Sequence, residues 1–283
     1  MIEVYTFELP HRRGILLRTD ETDNWSEISP LPGFSKESTG QALEALFDHD
    51  FDRYPSVAFG VEMLYVDLEP NPVPYTYLND TSGSIVKLKM GHLSLKEALK
   101  VLPPLLDQGI KLRLDFNRKW SLADCLKLSE SFPAGSFEYL EEPTRNLETF
   151  AKLTHHPIAL DESLRLLPPS TFINLPTVST FVIKPTLQGS VGDCLEIAQM
   201  ATRAGKNIVM SSSHESGVGL INIIKFAHLL PKIHPLGIDT YKTPDVLKKP
   251  LRFEDGICYP SPLELNTKSL ERIGVVSFEP IFQ

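Results

Sequence analysis

From residue 85 onward, apolar and polar positions alternate between two rhythms. Short β-rich runs (IVKLKM, IKLRLDF, FEYLEEP, PIALDES, STFVIKP, NIVMSSS and PLGIDT) are separated by longer stretches. Several of these stretches carry apolar residues at i, i+3, i+4 and i+7, which predicts helices lying on a sheet. The helical stretches are LSLKEALKVLPPLLDQG, SLADCLKLSESF, NLETFAKLT, SVGDCLEIAQMATRAG and GVGLINIIKFAHLLP. Gly109, Gly205 and Gly237 mark helix ends or strand starts. The polar residues closing successive runs are Lys89, Asp115, Glu141, Asp161, Lys184 and Ser211, at steps of 26, 26, 20, 23 and 27 residues. Each step holds one strand, one helix and two loops. Such repetition predicts a modified (β/α) TIM-type barrel, whose strand ends gather at one mouth.

Residues 1–74 stand outside this rhythm. WSEISPLPGFS is turn-rich, and KESTGQALEALFDH and SVAFGVEMLYVDL read as helices. The expected organisation is an α+β capping domain over 1–74 and a barrel over 75–245, with Pro72-Val73-Pro74 as linker. The irregular tail, 246–283, is expected to return to the cap.

Composition narrows the classes. Hydrophobic content of 42% and charged content of 23% are ordinary for a globular chain. A net charge of -8 argues against a nucleic-acid surface or attachment to anionic lipid. The start lacks a signal-peptide layout, and no apolar run approaches a membrane span. Cys125, Cys194 and Cys258 are widely spaced and read as free thiols in a reducing cytoplasm.

The strand-end residues then suggest a chemistry. Asp115, Glu141 and Asp161, on three successive strands, would repel one another without a cation between them. Oxygen ligands on rigid strand ends suit a hard divalent ion such as Mg²⁺. Taken singly, each acid could instead cap a following helix. Lys87 and Lys89 share one face of their strand, and Lys184 comes from the opposite side of the ring. A cation flanked by lysines can remove a proton beside a carboxylate and hold the charge that forms. Ser211, Ser212 and Ser213, before a Gly-rich helix start, can cradle an anion or simply cap the helix. His214 reads as a surface or packing residue, and Trp25 and Trp120 as packing residues.

The set KLK, LRLDFN, YLEEP, ALDESL, VIKPTLQGS and SSS resembles the enolase superfamily, within its muconate-lactonizing subgroup. EISPLPGFS, PSVAFGVEM and LGIDT extend the likeness across most of the chain. The resemblance implies Asp115, Glu141 and Asp161 as ligands of Mg²⁺, for which Mn²⁺ can stand in. It implies Lys89 as the acid/base and Lys184 as the stabiliser of the charged intermediate. Lys87, Arg113, Ser211, Ser213 and Gly237 fall where that family contacts substrate or orients catalytic groups, and Phe34 lies on the loop that closes over it. The implied reaction is loss of water from a small dicarboxylate, 2-succinyl-6-hydroxy-2,4-cyclohexadiene-1-carboxylate. Racemisation of N-acylated amino acids or dipeptide epimerisation on the same scaffold, and a barrel that only binds a ligand, stay open. A Schiff-base aldolase has no need of three acids. Two departures stand out. The stretch from Gly14 to Trp25 is short, and YTYLNDTSGSIVKLKM leaves no room for a crossover helix before the KLK strand.

Overall fold

The computed structural model of the chain describes residues 1–19 and 24–277. The chain opens with β1 (Ile2–Leu9), β2 (Arg12–Thr19) and β3 (Trp25–Ile28), an antiparallel meander in which Ile15 faces Ile28. Of the short stretch between Gly14 and Trp25, residues 14–19 belong to β2, and residues 20–23 lie outside the described residues. WSEI, read as turn-rich, is strand β3 because Leu17 and Ile15 supply a partner that local composition cannot show. Two helices pack on this sheet. Helix α1 (Thr39–Phe47) starts at a Ser38–Gln41 capping box, and α2 (Pro55–Met63) has proline in its first turn, where no N–H is missed.

The barrel follows. After β4 (Val73–Pro74), strands β5 (Tyr77–Leu78) and β6 (Ile85–Lys89) pair in parallel, Tyr77 beside Val86. No helix joins them; residues 79–84 return directly, and Gly83 lies so close to the Tyr77 ring that a Cβ would fall 2.0 Å from it. Then come α3 (Leu95–Asp107), β7 (Lys111–Asp115), α4 (Leu122–Glu130), β8 (Phe137–Glu141) and β9 (Ile158–Leu160). Ser94 and Glu97 form the capping box that starts α3. NLETFAKLT, expected as an α-helix, makes only a 3₁₀ turn at Leu147–Lys152, with Phe150 its one buried residue. A single anchor on six residues cannot hold a longer helix on the sheet. Two short helices, α5 (Ser163–Leu166) and α6 (Ser170–Ile173), lead to β10 (Val178–Ile183). The one-turn α7 (Pro185–Gln188) and α8 (Val191–Arg203) precede β11 (Asn207–Met210), and α9 (Gly217–Ala227) is buried at every position.

Seven strands form one parallel sheet in the order β11-β10-β9-β8-β7-β6-β5. PLGIDT supplies the eighth stave through two isolated parallel bridges, Ser211 to Gly237 and Leu236 to Tyr75, so the sheet closes on itself. Inside, Tyr139, Ala159, Val182 and Val209 pack beneath the mouth. Between strands and helices runs the large apolar core, which includes Leu112, Leu114, Ile158, Phe181 and Ile224.

The tail divides. Antiparallel β12 (Arg252–Glu254) and β13 (Ile257–Tyr259) add to β4, while β14 (Leu270–Val276) pairs with β1. Among the described residues of the tail, this last strand is the part that joins the cap sheet. Pro72-Val73-Pro74 is consequently no free linker: Val73 is fully buried and pairs with Cys258. The β12–β13 hairpin covers the side where a first barrel helix would lie, with Phe253 edge-on to Tyr75 at 5.0 Å. Among the described residues no helix is long and apolar enough to cross a membrane.

Candidate active site

Parallel pairing sets Lys89, Asp115 and Glu141 side by side at the ends of β6, β7 and β8, with Lys87, Arg113 and Tyr139 one layer deeper. Asp161 follows β9 and Lys184 follows β10. Because residues i and i+2 share a face, both layers point into the barrel.

At the mouth every acid meets an ammonium. Lys87 Nζ lies 2.6 Å from Glu141 Oε1 and 2.9 Å from Asp115 Oδ2. Lys89 Nζ reaches the same Asp115 oxygen at 2.6 Å and Asn117 Oδ1 at 3.4 Å. Lys184 Nζ donates to Asp161 Oδ2. All three acids are buried. Burial raises the Asp115 pKa, yet Lys87 and Lys89 outweigh it and hold that carboxyl well below the usual range. Glu141 goes the other way: burial first, then the charge of Asp115, pushes it up to about 7. Burial disfavours the charged forms of Lys87 and Lys184, but their carboxylates win and both stay ammonium at neutral pH.

As they stand, the acids are drawn onto these lysines; among the described residues no three His, Cys, Asp or Glu side chains form a metal-holding group. The donor set nevertheless fits a hard divalent cation in kind. It consists of three carboxylates on neighbouring staves, and Glu141 Oε2 is a buried acceptor with no donor.

A cavity of ≈ 100 Å³ lies against this cluster, lined by Lys87, Lys89, Lys184, Ser211 and Gly237, with Thr76, Leu78, Ser212, His214, Asp239 and Thr240 completing it. Gly237 serves by its missing side chain, since a Cβ there would meet Ser211 Oγ at 2.6 Å. Ser211 Oγ donates to the Gly237 carbonyl at 3.1 Å.

Three of the expected residues do not line this cavity. Arg113 is spent inside the barrel: it grips Glu138 with Nε at 2.9 Å and Nη2 at 3.2 Å, donates from Nη1 to Thr76 Oγ1 and the Pro235 carbonyl, and lies over the Tyr139 ring. It shares a face with Asp115 but sits one layer too deep. Ser213 is buried behind the wall, where its N–H donates to Glu215, and Ser212 takes its place beside Thr240. Phe34 is half exposed on a loop outside the barrel, in a separate cleft of ≈ 600 Å³ with Arg118, Glu162 and Arg165.

Sequence reasoning also passed over residues that hold the site. Glu142, at φ 44°, turns back to accept N–H bonds from Asp161 at 2.8 Å and Ser163 at 2.7 Å, fixing the loop that carries Asp161. Burial raises its pKa to about 7. Glu27 of β3 reaches across from the cap to the start of α9, accepting from Ser216 N at 3.0 Å and Gly219 N at 2.9 Å, and from the Ser216 and Ser29 hydroxyls. Asn222 on α9 ties back to Trp25 and Glu27. A glutamate inside EISPLPGFS gave no hint of this partner 189 residues away. Asp239, two residues past Gly237 in LGIDT, could have been placed by strand alternation.

Comparison with known proteins agrees with this architecture. Residues 79–263 match the family profile "Enolase C-terminal domain-like" and residues 2–68 match "MenC, N-terminal domain". The o-succinylbenzoate synthase of Photorhabdus laumondii is 32% identical over 294 residues, covering 84% of this chain and 89% of its own length. That of Haemophilus influenzae is 33% identical over 275 residues, covering 82% and 83%. In fold, muconate lactonizing enzyme from Pseudomonas putida superposes with a TM-score of 0.76 at 15% identity over 92% of this chain and 93% of its own. A dipeptide epimerase from Methylococcus capsulatus, complexed with Mg ion, gives 0.75 at 18% identity over 96% and 99%. By its two matched domains and its relatives, the chain belongs to the o-succinylbenzoate synthases of the enolase superfamily.

Proposed function

We propose that the cavity dehydrates 2-succinyl-6-hydroxy-2,4-cyclohexadiene-1-carboxylate to 2-succinylbenzoate, the step of menaquinone biosynthesis that this family performs. The observation that carries the assignment of roles is the convergence of Lys87, Lys89 and Lys184 with three buried acids on one small cavity. All three lysines are paired with these carboxylates, so exposure and the family resemblance, not pairing, single out the base. Lys89 is the most open of the three, with 35% of its side chain exposed against 12% and 15%. Its Nζ takes the proton alpha to the ring carboxylate. The same proton then passes to the departing hydroxyl, so that water leaves, Lys89 is restored and the ring becomes aromatic.

Lys184, a fixed positive charge on the opposite wall, steadies the negative charge that builds on the carboxylate oxygens. Asp115, Glu141 and Asp161 are the residues that would hold Mg²⁺, or Mn²⁺ in its place. When bound, the ion supplies further positive charge to those oxygens. Lys87 balances the buried acids, and Ser211 with the Gly237 backbone shapes the wall. The three buried free thiols suit a reducing cytoplasm.

The test is a spectroscopic assay of the dienol acid with purified protein. Aromatisation should require Mg²⁺ and stop on chelation. Racemisation of N-succinyl amino acids without any dehydration would reverse the assignment.

A further inference from the structure

Ser211, Ser212 and His214 wall one side of the cavity; of the six residues 211–216 five are buried and His214 is exposed. The backbone is pinned on both sides of it. Ser212 N–H donates to the Gly237 carbonyl at 3.0 Å, and Ser213 N–H donates to Glu215, whose other oxygen accepts the Thr186 hydroxyl at 2.6 Å. Ser216 is held by Glu27. Between these anchors His214 has φ 63°, a left-handed conformation that a β-carbon disfavours. Strain of this kind persists where the surroundings over-determine it, most often at functional sites.

The ring stands at a passage. His214 lines the ≈ 100 Å³ catalytic cavity and also a ≈ 980 Å³ opening beyond it, walled in part by His11, Arg12, Lys36 and Lys242. Pockets that enclose a whole ligand run to about 300–1,000 Å³. The inner cavity is smaller than that and shares His214 and Thr240 with the outer opening, so a ring with a four-carbon arm can extend past His214. Although the side chain is open to solvent on one side, loss of hydration against the wall, then Lys242, Arg12, Lys184 and Lys89, lowers the imidazole pKa, which favours the neutral ring with one N–H to donate. That N–H has no hydrogen-bond partner among the described residues.

Resting on the dehydration reading above, we infer that His214 donates its ring N–H to the succinyl carboxylate. It thereby selects substrates that carry a second carboxylate remote from the proton being removed. Around the outer opening Arg13 pairs with Glu8, and Arg12, Lys36 and Lys242 outnumber Glu37, an excess of positive charge that favours the same end of the molecule.

Titration calorimetry of the Mg²⁺-loaded protein with 2-succinylbenzoate and with benzoate tests this. His214→Leu should weaken 2-succinylbenzoate about tenfold, the worth of one hydrogen bond to a charged group, while leaving benzoate unchanged. His214→Asn, which keeps an N–H and tolerates the left-handed backbone, should retain most of the affinity. In turnover, His214→Leu should raise KM more than it lowers kcat. Equal weakening of both ligands, or of neither, overturns the role given to His214. Wild-type protein that binds neither ligand and does not turn over the dienol acid would instead overturn the dehydration reading on which the inference rests.

Discussion

The two walls of the cavity are built on opposite plans. On β6 to β10 the wall is ionic: Lys87 and Lys89 pair with Asp115 and Glu141, and Lys184 pairs with Asp161. On the side of β11 and the eighth stave it is largely neutral: Ser211, Ser212, Gly237 and Thr240 meet through hydroxyls and backbone, with Asp239 its one acid. The ionic wall works by charge and tolerates little change of residue type. The neutral wall works by close approach and tolerates little change of shape. Chemistry is assigned to the first and the fit of the substrate to the second.

The comparison can be broken in order of expected effect. Lys89→Ala should lower kcat by about 10³-fold or more, within the range for loss of a general base, while Mg²⁺ binding persists in calorimetry. Retained turnover would move the base elsewhere. Next, Mg²⁺ affinity should depend on pH through Glu141. Its carboxyl is pushed up to about 7, so below that pH a proton must leave before the oxygen can bind the ion. Affinity should therefore rise with pH, by up to about tenfold per unit below 7, and level off above it. Glu141→Gln should lose both the affinity and the slope; a flat profile in the wild type would detach Glu141 from the ion. On the neutral wall, Gly237→Ala places a methyl 2.6 Å from Ser211 Oγ. It should raise KM several-fold and destabilise the fold by about 1–3 kcal/mol, read from urea unfolding and steady-state kinetics. Glu27→Gln, which offers one acceptor where four donors converge, should cost a similar or smaller amount, about 1–2 kcal/mol. Smallest of all, Phe34→Ala on its exposed loop should shift unfolding of the ligand-free protein by less than about 0.5 kcal/mol.

The ionic wall was the more legible in the sequence. Lys89, Asp115 and Glu141 repeat at strand-plus-helix spacing, and their register follows from parallel pairing. Arg113 shows where periodicity stops: it gives the face of a strand but not the depth, and one layer separates a cavity residue from a core ion pair. Beyond a strand end even the face is lost, as Ser212 and Ser213 exchanging roles shows. His214 is invisible for the same reason, since its position depends on a left-handed turn held by distant partners. The Pro72–Pro74 stretch misleads because local punctuation says linker, whereas β13, far along the chain, makes it a strand. Glu27 is the extreme case: only the folded chain brings it to α9.

The hairpin of β12 and β13 that stands in for the absent barrel helix has a consequence for how the chain is made. Until residue 259 has emerged from the ribosome, Tyr75 and Tyr77 have no cover and β4 has no mate. Until residue 276 follows, one edge of β1 is open for pairing with a stranger. The nascent protein thus carries these surfaces open until both segments have emerged, and a product of translation cut short before them is expected to aggregate rather than to keep partial activity.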